Sequence, residues 1–581
     1  MDKLRRIVGN TLISLLGQIV TWTSTLILTI AYGRFLGDTK FGELFLAITF
    51  VALVGFPLEF GFNQQLTRDV AQKPHEAKRY LSNILLIKGC FWVGLYGVII
   101  LLAYLLGYNS EELSLVAICG IYLLADAVTN VFASLHYAME RVTFPVVGGI
   151  LSKGLSALAG TVLLKYGASV QIMACVLLGS SCANMLWQAF WGLRAVGWPF
   201  AIDGKLMREL LRTCIPFLVY GVLAVIYYRI DTVLLSLMAN ATVIGWYGAA
   251  YRLLDTLNFL PNLVIFSIMY PLFSKFSVSD ETKLKLSAEK SMNFLLFCGM
   301  PITTMLIVAA PSIIGFLYHQ PQFMHSVPVL QTLAPGLLFL YANTALGSVI
   351  MSIKQEKKIT VMAAIALVFN IGLNLLLIPR YEHIGAAAAT SLTEFLLFCL
   401  SIYFTPRKYL PFKSLLVGLK SIVACLVMAL AIWKLLELNI FIILPVAIIT
   451  YVASALLIGV IPREDLKALY GALRQKASPS SLASLATQPL AHQEGYETIL
   501  EGAMLLADED TIPMKAVYRI QQMQSRLDFI DKDTLPLKAI PKRLPETPTV
   551  HLTEDDMETI PMTAVQRKRR EAANQPASTQ S

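Results

Sequence analysis

The sequence predicts an all-α integral membrane protein of about 14 transmembrane helices, organised as two pseudo-symmetric six-helix lobes, two extra helices and a disordered cytoplasmic tail. Three observations predict it. Charged residues make up 15% of the 581 residues and hydrophobic ones 56%, with a mean hydropathy of +0.63; a soluble domain carries about 25% charged residues. Apolar runs of the roughly 20 residues needed to cross a bilayer recur from end to end. The loops between those runs alternate between rich and poor in lysine and arginine.

In chain order the runs are 7–31, 41–60, 84–106, 113–137, 144–164, 170–193, 215–238, 243–266, 293–316, 327–351, 359–378, 385–404, 415–436 and 440–460. Lys3, Arg5 and Arg6 precede the first. Alternate loops carry Arg68, Lys73, Lys78 and Arg79; then Arg141; then Arg194, Lys205 and Arg208. The same side continues with Lys275 to Lys290, then Lys354, Lys357 and Lys358, and finally Arg407, Lys408 and Lys413. The opposite loops hold little beyond Arg34, Lys40, Lys165 and Arg380. This bias places both termini in the cytoplasm, and the protein is expected in the cytoplasmic (inner) membrane. Arg5-Arg6 leads directly into a full-length run without a small-residue cleavage site, so no cleavable signal peptide is expected. Eight cysteines lie scattered in apolar stretches without CxxC pairing and read as helix-packing residues.

Depth along the runs, at about 1.5 Å per residue, brings Asp126, Lys153, Arg229, Asp231, Arg252, Asp255 and Glu394 into one central slab. Unpaired, seven such charges cost on the order of 20 kcal/mol, more than the net stability of a typical protein. They must share a hydrated or mutually paired interior. Arg252 and Asp255, three residues apart, share a helix face. Arg229 and Asp231 point about 200° apart and cannot pair with each other. A four-residue link, Ala239 to Thr242, makes runs seven and eight antiparallel neighbours, so Arg252 is the expected partner of Asp231. Glu59 lies near the inner end of run two and can reach the interface.

Internal repeats define the domains. Thr39-Lys40-Phe41-Gly42 parallels Thr242-Val243-Ile244-Gly245, 203 residues later. Ala138 to Arg141 parallels Lys354 to Lys357, and Lys165-Tyr166 echoes Arg380-Tyr381. The boundaries that follow are 1–193 and 205–404 for the lobes, 413–461 for the extra helices, and 462–581 for the tail. The tail is polar, with a motif that recurs at Thr511-Ile512-Pro513-Met514, Thr534-Leu535-Pro536-Leu537 and Thr559-Ile560-Pro561-Met562, each preceded by acidic residues. Such repeats can dock one partner several times, and an acid-flanked Thr511, Thr534 or Thr559 fits a phosphothreonine-binding partner.

No phosphate-binding loop, dinucleotide fingerprint or metal-spaced His/Cys cluster is present. Nothing in the pattern points to a cofactor, a metal or nucleic acid. Transport energy must come from substrate concentration, a separate subunit, or a coupled H⁺ or Na⁺. External loops mostly shorter than about ten residues leave little from which to build an enzyme site.

The run KQEKK at Lys354, then Asn370 and Asn374, LLLIPRY at Leu375–Tyr381 and GAAAAT at Gly385–Thr390 resemble the C-terminal half of polysaccharide flippases. These belong to the multidrug/oligosaccharidyl-lipid/polysaccharide exporter superfamily. RIDTVLL at Arg229 and GWYGAAYR at Gly245 resemble its seventh and eighth spans. Gly33-Arg34-Phe35-Leu36-Gly37 and Glu59-Phe60-Gly61 resemble its first two. The likeness covers about residues 1–460. The family commonly has a glycine after the tyrosine where this chain has Glu382-His383. The resemblance implies two lobes and alternating access that move polyprenyl-pyrophosphate-linked sugars between leaflets for surface polysaccharide assembly. It assigns Lys153, Arg229, Arg252 and Arg34 to the pyrophosphate, which arginine's planar fork suits. Asp126, Asp231, Asp255, Glu394 and Glu59 become cavity carboxylates that offset this charge or carry the coupled ion. Expected partners are the lipid-linked sugar, membrane lipid and polysaccharide polymerase or assembly proteins. Tyr227, Tyr228, Trp246 and Tyr247 can stack on sugar rings, although at helical spacing such residues more often pack. Two rivals remain: a drug or small-cation exporter of the same superfamily, whose cavity would hold carboxylates and aromatics with few cations, and a membrane scaffold that acts through its tail.

Overall fold

The computed structural model describes residues 2–460 except 60, 199, 200 and 437, with side chains for all of these except 2–12, 15, 215–220, 224 and 266–268. The tail motifs at Thr511, Thr534 and Thr559 lie outside the described residues. The elements are α1 (Asp2–Gly55), a 3-10 turn (Phe56–Leu58), α2 (Phe62–Gln72), α3 (Ala77–Leu105), α4 (Ser110–Ala138), α5 (Thr143–Lys165) and α6 (Val170–Val196). Then come α7 (Gly204–Met238), α8 (Ala241–Leu257), α9 (Phe259–Asn262), a π-helical stretch (Leu263–Met269), α10 (Tyr270–Ser279), α11 (Glu281–Val308) and α12 (Ala310–Tyr318). The chain continues with α13 (Ser326–Ser352), α14 (Glu356–Phe404), α15 (Lys413–Trp433) and α16 (Ile440–Ile458).

Twelve helices among the described residues are long and apolar enough to cross a membrane. Two of them, α1 with 54 residues and α14 with 49, each contain two of the predicted runs. At about 1.5 Å per residue, either is more than twice as long as a hydrocarbon core of about 30 Å. Each is interrupted by a single non-helical residue, Gly37 (φ 77°) in α1 and Glu382 (φ 46°) in α14.

Two predicted runs overshoot real breaks. Run 243–266 ends in α8 at Leu257, and the chain then passes through α9 and the π-helical stretch, flanked by Pro261 and Pro271. Run 293–316 divides at Ala309, where α12 restarts with Pro311 in its first turn. Proline lacks the N–H a continuing helix needs and its ring crowds the preceding turn; hydropathy alone does not register either effect.

Helix α7 ties together both halves of the chain. Asp203 caps its start by accepting from the Lys205 and Leu206 amides. Arg79, on α3, pairs with the same carboxylate and holds it below the usual aspartate range. Leu206, Leu210 and Cys214 pack with Phe62, Leu66, Leu81 and Ile84, whereas the rest of α7 packs along α14.

At the end of the bundle poor in lysine and arginine, the first repeat touches its own copy. Thr39 Oγ1 and Thr242 Oγ1 are 2.9 Å apart. A Cβ on Gly42 would lie 1.9 Å from the Ala241 carbonyl oxygen, and one on Gly245 2.0 Å from that of Asp38. The two contacts are images of each other under the same 203-residue offset. Only glycine permits so close a backbone crossing. Trp246 adds an indole N–H donated to Asp38 Oδ2 at 3.0 Å, with the His325 and His383 rings packed against it.

The second repeat is displaced from its predicted alignment. Left-handed residues mark equivalent turns at Glu140 and Lys354, both with φ 58°, and Arg141 N→His136 O is matched by Gln355 N→Ile350 O. Ala138 to Arg141 therefore corresponds to Ser352 to Gln355, two residues earlier than charge similarity indicates.

Candidate functional site: a polar cavity between the halves

A cavity of about 480 Å³ is walled on one side by α1 and α4 and on the other by α7, α8, α13 and α14. Of the nine predicted intramembrane site residues, Glu59, Asp126, Arg229, Asp255 and Glu394 line it. Lys153, Asp231, Arg252 and Arg34 do not.

Arg229 donates from Nη2 to Asp255 Oδ2 at 3.2 Å, and its guanidinium stands over the Tyr251 ring at 5.4 Å. Both members keep about a third of their side-chain surface exposed, at 28% and 31%. This pair replaces the expected one between Arg252 and Asp231. Asp231 is 1% exposed and accepts from the Tyr247 hydroxyl, from Thr390 Oγ1 at 3.1 Å and from the Thr232 amide at 2.6 Å. The reason is helical rotation. Tyr247 faces Asp231, and Arg252, five residues on, lies about 140° round α8. There it stacks over the Phe45 ring of α1 at 5.3 Å.

Arg34 also faces away from the cavity. It donates to the carbonyls of Leu317 at 2.6 Å and Phe316 at 2.7 Å, groups that the end of α12 leaves without helical partners. Lys153, on α5, is partly buried and makes none of the ion pairs found among the described residues.

Lys88 is the residue that sequence reasoning missed. Its side chain is fully buried, with Nζ 3.5 Å from Glu59 Oε2 and 3.5 Å from the Ala127 carbonyl. Glu59 sits in the break between the 3-10 turn and α2, where Asn63 and Asn130 also donate to it. Asn130 bridges onward to Asp126 at 3.2 Å. The signal was visible: Lys88 is the sole charge in run 84–106. Its position four residues from the basic end reads as a lysine that snorkels to the interface. The carboxylate on the neighbouring break holds it inside.

Opposite, Glu394 accepts from the Tyr227 hydroxyl and from Asn343 Nδ2 at 2.9 Å. Behind it lies a smaller chamber of about 220 Å³ that runs toward the basic end of α13 and α14. The main cavity thus presents one guanidinium, four carboxylates and the rings of Phe56, Tyr227, Tyr228 and Tyr251. Three central cations were expected; of these only Arg229 lines the cavity, and Arg252 is turned aside against Phe45.

The chain matches the model of the polysaccharide biosynthesis protein family over residues 7–277 and that of the lipid II flippase MurJ family over residues 193–453. It is 21% identical over 369 residues to the probable low-salt glycan biosynthesis flippase Agl15 of Haloferax volcanii, covering 62% of this chain and 75% of that protein. It is 27% identical over 139 residues to the uncharacterised membrane protein MJ1068 of Methanocaldococcus jannaschii, where the match spans only 24% of this chain and 27% of the relative. In fold it resembles lipid II flippase MurJ in an inward closed conformation, with TM-score 0.63 and 18% identity over 77% of this chain and 98% of that one. An inward-facing multidrug resistance MATE family transporter gives TM-score 0.55 and 15% identity over 66% and 94%.

Proposed function

We propose that this chain, a member of the multidrug/oligosaccharidyl-lipid/polysaccharide exporter superfamily and a transporter instead of an enzyme, is a flippase. Its substrate is polyprenyl-pyrophosphate-linked oligosaccharide for surface polysaccharide assembly. The match to glycan and lipid flippases along nearly the whole membrane part supports the substrate class. The observation that carries the chemistry is Arg229: a guanidinium facing the cavity, tied to one carboxylate that a pyrophosphate can outcompete. If α1 and α14 each cross twice, turning at Gly37 and Glu382, the crossings of this reading number fourteen, and the 203-residue offset supports six-helix lobes at 1–193 and 205–404 with extra helices at 413–461.

On this reading the basic loops are cytoplasmic, the Thr39–Thr242 contact is the outer seal, and the cavity is reached from inside. Asp231 and Glu394 rest on neutral donors and lack a cationic partner among the described residues, so they are the carboxylates that would take up a coupled H⁺ or Na⁺. The tail would recruit assembly proteins or, once phosphorylated, a phosphothreonine-binding partner.

The lining favours a second reading: four carboxylates and several aromatics around one arginine suit an exporter of organic cations. Proteoliposomes separate the two. The flippase moves a fluorescent polyprenyl-pyrophosphate oligosaccharide between leaflets, and Arg229→Ala lowers that rate at least tenfold with little loss of abundance. Arg252→Ala, by removing a stacked side chain, lowers abundance instead. Efflux of organic cations without lipid movement would replace the flippase reading by the exporter one.

A further inference from the structure

The smaller chamber differs in kind from the cavity it adjoins. Tyr227, Tyr228, Asn258, Leu340 and Glu394 line both spaces. Beyond them the smaller one is walled by Asn262, Asn343, Thr344, Ser348 and Ser401 with apolar side chains, and among its described lining residues there is no lysine, arginine or histidine. Its 220 Å³ falls below the range of about 300–1,000 Å³ typical for drug-sized ligands, which leaves room for one ring-sized group.

The polar groups there are held in place before any ligand arrives. Asn343 is fixed between Glu394 and Ser401 Oγ, which donates to its Oδ1 at 3.4 Å. Thr344 and Ser348 donate their hydroxyl hydrogens to the Leu340 and Ala345 carbonyls at 2.8 and 2.7 Å, so their oxygens remain as acceptors. Asn262 Nδ2 donates to the Asn258 carbonyl at 2.8 Å, which leaves its own Oδ1 to accept. A wall of fixed acceptors beside a carboxylate, with aromatic rings at its mouth, matches a ligand covered in hydroxyl groups.

We infer that the smaller chamber seats the sugar ring next to the pyrophosphate and selects a neutral, hydroxyl-bearing ring over an acidic one. The inference rests on the flippase reading and adds a division of labour to it: Arg229 holds the phosphates, and the chamber reads the sugar. A uronic acid there would set a second carboxylate beside Glu394 with no cation to answer it. A bare lipid would leave the amides and hydroxyls facing an empty space, and sites built to pair hydroxyl groups discriminate strongly against ligands that lack them.

The test uses the full chain in lipid nanodiscs and three probes: undecaprenyl pyrophosphate, the same lipid carrying one neutral hexose, and the same lipid carrying one hexuronic acid. The wild type should bind the neutral glycolipid about tenfold more tightly than either other probe, equivalent to about 1.4 kcal/mol. Asn262→Leu combined with Thr344→Val should reduce that preference to about twofold or less, and Thr344→Ser, which keeps the hydroxyl, should retain it. Equal wild-type affinity for all three lipids, or a preference untouched by the double substitution, would overturn the inference while leaving the flippase reading in place. Failure of the wild type to bind any of the three would sink both.

Discussion

Two carboxylates on opposite walls of the cavity, Glu59 and Glu394, are held by opposite means. On the N-terminal side Glu59 answers a fully buried ammonium, Lys88, across 3.5 Å. On the C-terminal side Asp255 is paired with a cation, Arg229, whereas Glu394 rests on tyrosine and asparagine, as Asp231 outside the cavity rests on tyrosine and threonine. The first arrangement is a charge pair whose members depend on each other. The second is a set of anions stabilised by dipoles, free to gain or lose a cation without stranding a partner. The two carboxylates therefore differ in chemistry: Glu59 belongs to a buried ion pair, and Glu394 is bonded to neutral donors.

The largest effect should come from breaking the N-terminal pair on its exposed side. Glu59→Gln leaves the buried Lys88 without its anionic partner, with only neutral acceptors in reach, and should cost about 3–5 kcal/mol, the usual range for a buried charge deprived of its partner. Lys88→Met should cost less, because Glu59 keeps 35% of its side-chain surface exposed in the cavity. The double substitution should recover most of the loss. Thermal denaturation in detergent reads all three, and equal costs for the two single substitutions would contradict the asymmetry.

On the opposite wall the expected effect is smaller. Glu394→Gln keeps the shape and replaces charge-assisted hydrogen bonds by neutral ones, so it should cost about 1–2 kcal/mol, within the range for such bonds. It should also remove any dependence of lipid movement on an ion gradient that this carboxylate provides. A gradient dependence unchanged from wild type would move the coupling role to Asp231.

A turn gives the smallest effect, with the opposite sign. Lys165-Tyr166 is followed by Gly167 at φ 79°, whereas its counterpart Arg380-Tyr381 is followed by Glu382 at φ 46°. A side chain is strained in that region, typically by about 1–3 kcal/mol, and glycine is not. Glu382→Gly should therefore raise stability by about 1 kcal/mol in the same melting assay. A lowered midpoint would mean that the Glu382 side chain contributes more than its backbone strain costs.

Much of the fold was legible because hydropathy responds to the bilayer directly. Every predicted run overlaps an observed helix, and the errors fall where proline, not polarity, decides: at Pro261, Pro271 and Pro311. The repeat at Thr39–Gly42 was legible as residue identity, and its cause, a glycine-on-glycine crossing, appears only in space. For the site, the presence of charges inside the apolar runs was readable and the direction of each was not. Arg229, Asp126, Asp255, Glu59 and Glu394 reach the cavity, whereas Arg252, Asp231, Arg34 and Lys153 occupy other surroundings, and Lys88 was passed over altogether.

By itself the sequence determined that the chain crosses the membrane many times and that charges fall inside its apolar runs. Those are one-dimensional facts, set by the cost of placing each residue type at a given depth in hydrocarbon. Tertiary structure decided which charges meet. Pairing depends on the rotation of each helix about its own axis and on what its neighbour offers at that height, and a shift of one or two residues turns a cavity ligand into a packing side chain.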